Sequence, residues 1–232
     1  MQAFQERTAR HYRMAGCVFL DCDGVIFDSN GFKLEALRRA LAGHPQAALD
    51  EMERFWSAHG GMGRRTKLEH FFREILRLEP IDEHVLLSLA RFGEFSRRAY
   101  ATQTPIMPAL ELARHAGRER CFVVSGADQT ELRDVFQAKA LTSLFGEVCG
   151  SPTTKLAHVE RILAERRCAP GDALLIGDGA VDFDVCQRLG VPFIYLDQFS
   201  EWTAAKSTLM GAPNVIVCDT WPDILSRLGI RM

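Results

Sequence analysis

The sequence predicts a doubly wound α/β core built on a parallel sheet, interrupted after its first strand by an all-helical insertion. Three observations carry this. Short apolar runs of strand length recur along the chain, each ending against a polar or glycine-containing turn. The stretches between most of them have helical spacing, and strands alternating with helices are what a parallel sheet requires. One long interval, from Asp28 to about Pro105, breaks the rhythm: it holds amphipathic segments and no good strand.

The first apolar run is Cys17–Leu20. Four helical segments follow, at Leu34–Leu41, Ala48–Ala58, Lys67–Leu78 and His84–Tyr100. Prolines at 105 and 108 disfavour helix, so Thr102–Pro108 is expected to be the return linker. Cys121–Val124 is the next strand, and Leu132, Val135 and Phe136 then mark a helix by their spacing. Leu156, Val159, Ile162 and Leu163 mark another, followed by strand runs Ala173–Ile176, Phe193–Leu196 and Val215–Cys218. The expected division is a core of residues 1–28 and 106–232 around a helical unit of residues 29–105. There is no internal repeat and no low-complexity tract.

The 232 residues are 47% hydrophobic and 25% charged, enough to bury a full-sized core without disulfides. A formal charge of −2, with Lys and Arg scattered, provides no basic stripe for a nucleic-acid backbone, and we expect no nucleic-acid partner. The seven cysteines are odd in number, widely spaced and mostly set in apolar runs, which suits a reducing cytoplasm. The first eleven residues show no signal-peptide pattern and read as a loose polar arm. No run approaches the roughly 18 apolar residues of a membrane span, so a soluble protein is expected.

Chemistry concentrates at strand ends. Val18–Ser29 delivers Asp21 and Asp23 to the carboxyl end of the first strand, where open α/β sheets bind ligands. Gly24 lets the chain turn so that both carboxylates converge; a solvated acidic turn is the plainer alternative. In Ala173–Asp182 a second strand runs into Asp178, with Asp182 four residues on. Both acids could simply cap a helix, where the dipole favours negative charge. Hard oxygen ligands from two strand ends are also what Mg²⁺ requires. Ser125 stands at a third strand terminus, its hydroxyl and the backbone N–H of Gly126 suited to a phosphoryl oxygen; capping is again the alternative. An isolated lysine such as Lys155 is more often a solvated charge.

In order, Asp-x-Asp-Gly, Ser125, Lys155 and Gly-Asp-x-x-x-Asp resemble the motifs of the haloacid dehalogenase superfamily of phosphatases, from Val18 to about Asp197. The helical insertion is similar to the cap carried after strand one by phosphoglycolate phosphatase-like and β-phosphoglucomutase-like members, although Leu156 stands where the former usually have proline. The resemblance implies Asp21 as nucleophile, Asp23 as general acid and then base, Ser125 as donor to the phosphoryl group and Lys155 as the neutralising charge. It implies Mg²⁺ held by Asp21, the Asp23 carbonyl and Asp178, with Asp182 in the outer shell or completing the site. Asp23 separates phosphoryl chemistry from the dehalogenases, which lack that acid.

The implied activity is hydrolysis of a small phosphorylated metabolite, a sugar phosphate being one candidate, through an aspartyl phosphate; phosphomutase is the alternative. A receiver-like signalling module, with its acceptor on the third strand and no cap, fits poorly. In His59–Arg65, a glycine-rich turn between cap helices, Arg64 or Arg65 is expected to meet the substrate, the alternative being a plain connector with solvated arginines.

Overall fold

The structure, a computed structural model, describes residue 12 and residues 15–230. The polar arm expected over residues 1–11 lies outside the described residues, Tyr12 aside.

Six parallel strands form one sheet: β1 (Cys17–Leu20), β2 (Cys121–Asp128), β3 (Glu147–Ser151), β4 (Ala173–Gly177), β5 (Phe193–Leu196) and β6 (Val215–Cys218), in the order β3-β2-β1-β4-β5-β6. Five of them coincide with apolar runs in the sequence. The sixth, β3, was not expected, because Glu147, Gly150 and Ser151 leave only Val148 and Cys149 as its apolar signal. It is an edge strand, paired with β2 alone, and so needs less apolar surface than a central one.

Side chains alternate across the sheet, and both faces are buried. Val18 and Leu20 pack in one cluster with residues of α5 (Met107–Ala116), α6 (Gln129–Ala138) and α10 (Trp221–Leu228). Cys17 and Phe19 enter a second cluster with α7 (Lys155–Arg166) and α8 (Ala180–Leu189). That is the doubly wound arrangement, and each fully buried residue such as Phe19 contributes about 1.5–3 kcal/mol. A short helix, α9 (Ala205–Leu209), precedes β6.

Between β1 and α5 come α1 (Asn30–Ala40), α2 (Gln46–Ala58), α3 (Arg64–His70), which continues as a π-type turn to Ile75, and α4 (Asp82–Thr102). Leu37, Met52, Trp56, Leu68, Phe71, Phe72 and Phe92 form an apolar cluster within this insertion. The return linker is shorter than expected. Helix α4 runs through Thr102, and Pro108 sits inside the first turn of α5, where its missing N–H removes no helical hydrogen bond. The insertion leaves and rejoins the core side by side: the Ile106 amide donates to the Ile26 carbonyl at 2.8 Å.

Candidate active site

From β1 the chain winds outward through β2 to β3, then returns to place β4 on the other side of β1. The sheet therefore has its switch point between β1 and β4, and a crevice opens at their carboxyl ends. Asp21 follows β1 directly, its amide donating to the Ile176 carbonyl at 3.0 Å, and Asp178 follows β4. Gly24 turns the chain with φ of +74°, and a Cβ there would collide with the Asp178 carboxylate, so only glycine permits this approach.

Lys155, at the start of α7, reaches under these acids. Its Nζ lies 2.8 Å from Asp21 Oδ2 and 2.7 Å from Asp182 Oδ1, and all three side chains are buried. Burial disfavours the ammonium, but Asp182 and Asp21 outweigh it and hold the Lys155 pKa raised. Asp182 also accepts from the Gly179 amide at 3.2 Å, so it both caps α8 and orients the lysine. Asp178 accepts from Asn30 Nδ2 at 2.9 Å, and Asn30 donates again to the Phe199 carbonyl.

Oxygens of Asp21, Asp178 and Asp182 come within 4.8 Å of one another. Burial pushes Asp21 up to about 7 despite Lys155, and Asp178 rises well above the ordinary carboxylate range for the same reason, with Asp21 and Asp182 adding to it. One lysine does not neutralise three buried acids. An all-oxygen donor set short of positive charge fits a hard divalent cation such as Mg²⁺.

The Asp23 carboxylate is not in that cluster. It accepts from Ser29 Oγ, from Lys33 Nζ on α1 and from the Tyr100 hydroxyl on α4. Burial opposes its charge, yet Lys33 and these hydrogen bonds leave its pKa below the usual value. Asp23 is thus held as a carboxylate by two cap residues.

The sequence ends this strand at Val124 and puts Ser125 at its terminus; in the structure β2 runs on to Asp128, and Ser125 and Gly126 lie inside it, where the pairing with β3 shifts register. Ser125 is buried, its Oγ accepting from the Ala127 amide at 3.0 Å, and Gly126 lines the cavity that Asp21 faces. The arginines divide. Arg64 is buried and its guanidinium donates twice to Glu131 of α6, at 2.9 and 2.8 Å. Arg65 is half-exposed, 3.6 Å from Glu69, and borders a cleft of about 500 Å³ that Arg64, Ser125 and Lys155 also line.

The cavity over the acids, about 60 Å³, places Asp21, Asp23 and Asp178 opposite the cap residues Lys33, Lys67 and Trp56. Lys67 is 2% exposed; its ammonium donates to the Trp56 carbonyl at 3.1 Å and lies 4.0 Å from that ring. Burial, reinforced by Lys33, lowers its pKa to about 7, with Glu201 opposing. Asn30, Lys33, Lys67, Tyr100 and Glu131 were not anticipated. For Lys67 a signal was present: it shares a helical face with Leu68 and Phe71, and a lysine on an apolar face needs a reason.

The family model of haloacid dehalogenase-like hydrolases matches residues 16–190. The chain belongs to this family. It is also 25% identical over 189 residues to a phosphoglycolate phosphatase of Mesorhizobium japonicum, covering 78% of this chain and 82% of that protein. Among solved structures, a hydrolase from Pseudomonas syringae superposes with a TM-score of 0.71 at 16% identity, covering 92% of this chain and 97% of the other. A predicted phosphoglycolate phosphatase from Haemophilus somnus gives 0.66 at 16% identity, over 91% and 97%. At these identities the structures speak for the fold alone. This haloacid dehalogenase-like hydrolase is therefore an enzyme similar to phosphoglycolate phosphatases, and the expectation of a phosphatase is borne out at that level. None of its described helices is long and apolar enough to cross a membrane.

Proposed function

We propose that the protein is a Mg²⁺-dependent phosphomonoesterase, cytoplasmic, that hydrolyses a short phosphorylated metabolite bearing a second anionic group. The observation that carries the reading is the gathering of Asp21, Asp178 and Asp182 around Lys155 at the switch point of the sheet. Asp21, Asp178 and Asp182, with the Asp23 carbonyl, would hold the cation, which when bound supplies positive charge against the phosphoryl oxygens.

In this reading the Asp21 carboxylate attacks phosphorus, forming an aspartyl phosphate as the bond to the leaving oxygen breaks. Lys155 offsets the charge that would repel this attack, and Ser125 with the Gly126 amide holds phosphoryl oxygens. Asp23, once it has left the Lys33 and Tyr100 contacts and taken a proton from solvent, delivers that proton to the leaving oxygen and then takes one from the attacking water. Residues 29–105 act as a cap that excludes water from the covalent step.

A small cavity with two buried cap lysines supports a short anionic leaving group over a bulky neutral sugar. The activity of the Mesorhizobium relative makes 2-phosphoglycolate the first compound to assay. The test is phosphate release from a panel including 2-phosphoglycolate, sugar phosphates and p-nitrophenyl phosphate, with Mg²⁺ or with EDTA. Activity should need Mg²⁺ and vanish in Asp21→Asn, and beryllofluoride should add to Asp21. Turnover that survives exhaustive chelation, or an adduct on another residue, would refute the reading.

A further inference from the structure

A buried ion pair that the chemistry above leaves unused joins the insertion to the core. Arg64 opens α3 in the cap, and Glu131 lies in the first turn of α6, directly after the strand that carries Ser125. The Arg64 fork meets both Glu131 oxygens, at 2.9 and 2.8 Å, with the two side chains only 8% and 3% exposed. Ser96 of α4 donates to the same carboxylate at 2.7 Å, and the Arg64 guanidinium lies 4.6 Å from the Phe92 ring. Two cap helices therefore converge on one core carboxylate. Gly93 of α4 faces the pair, and a Cβ there would stand 3.7 Å from Glu131 and 3.8 Å from Arg64, in ordinary contact.

The loop preceding Arg64 is pressed onto the site. The Gly61 carbonyl lies where a Cβ on Gly126 would be, and the Gly60 carbonyl would be 3.0 Å from a Cβ on Gly179. Gly126 and Gly179 directly follow Ser125 and Asp178. Backbone thus meets backbone within β2 and just after β4, and the residue that follows the loop is the one bound to Glu131.

We propose that Glu131 is a positioning residue for the reaction: through Arg64 it clasps the loop of residues 60–63 onto Gly126 and Gly179 and so defines the closed cap. Arg64 is the moving half of the clasp: it lines the cavity over the acids while two of its donors are committed to Glu131. Opening separates the pair and returns both charges to water, where each is well solvated. The two ion-pair states thereby make a two-state latch of the kind that gates lids. The proposal rests on the reading of the strand-end site as the active centre.

The test uses the full chain in two arms. Hydrogen exchange of peptides spanning residues 59–68 should quicken at least tenfold in Glu131→Gln and in Arg64→Lys, while peptides from β1 and β4 keep wild-type rates. In the second arm, kcat for p-nitrophenyl phosphate should fall at least tenfold with KM changed less than threefold, and the exchanged pair Arg64→Glu with Glu131→Arg should recover part of it. Ser96→Ala, which removes one hydrogen bond and no charge, should show a smaller change in the same direction and covers the case in which the charge variants do not fold. Unchanged exchange at residues 59–68, or quickening spread equally over the sheet, overturns the clasp. Because the exchange arm needs no turnover, it decides the clasp even if the wild-type protein releases no phosphate, the result that would instead sink the phosphatase reading.

Discussion

Lys155 Nζ stands 2.8 Å from Asp21 Oδ2 with both side chains nearly inaccessible to water. Neither charge has a solvent alternative, so the pair answers for stability as well as reactivity. Lys155→Met leaves Asp21 and Asp182 buried without their cation, a loss of about 3–5 kcal/mol for a broken buried pair. Urea denaturation in metal-free buffer should read it, and turnover should fall by at least about a thousandfold, equivalent to roughly 4 kcal/mol.

Asp21 holds its proton up to about pH 7 in the metal-free fold, chiefly through burial. A folded-state pKa above the unfolded one gives stability that is complete below about pH 4 and lost as pH rises through about 7. Metal-free protein should therefore weaken across this window, Asp178 acting in the same direction. Asp21→Asn should flatten the decline by up to ~1.4 kcal/mol per pH unit, measured as urea midpoints in EDTA. Added Mg²⁺ should reduce the wild-type slope.

Lys67 is the reverse case, an ammonium whose pKa burial lowers to about 7. If it receives the second anion of the substrate, KM for 2-phosphoglycolate should climb as pH rises through about 7 and the charge is lost. Lys67→Met should have a KM about tenfold or more higher, near 1.4 kcal/mol of binding, and little pH dependence over the same range. A variant with the wild-type KM and pH profile would remove Lys67 from recognition.

Asn30 fixes the Asp178 carboxylate from outside the acid cluster. Such supporting partners are typically worth about 10–100-fold in metal affinity or activity. Asn30→Ala should raise the Mg²⁺ concentration for half-maximal activity by that factor while saturating Mg²⁺ restores most of the rate.

The acids were legible in the sequence because a parallel sheet exposes its function at strand ends, and the buried apolar runs before Asp21 and Asp178 announce where those strands stop; Lys155, which follows the unexpected β3, was singled out by the order of motifs alone. Their cap-side partners were not. Tyr100 meets Asp23 across 77 residues and Arg64 meets Glu131 across 67, and helical periodicity carries no information about which distant face a polar residue will meet. Arg64 and Arg65 looked equivalent as adjacent charges after a glycine turn; one helical step sends the first inward to Glu131 and the second to solvent. Strand β3 escaped for a different reason, since an edge strand can form with two apolar residues.

The hydrogen bond between Ile106 and Ile26 puts the two ends of the insertion in contact. A segment whose ends already meet can be lengthened, shortened or replaced without prising strands apart, and the entropic cost of closing it grows only slowly with its length. Drift in residues 30–102 that spares Asn30, Lys33 and Tyr100, the residues bonded to Asp178 and Asp23, can therefore reshape the cavity over the acids without moving β1 or β4. Architecturally, the insertion is an exchangeable part, and the sheet beneath it is the fixed one.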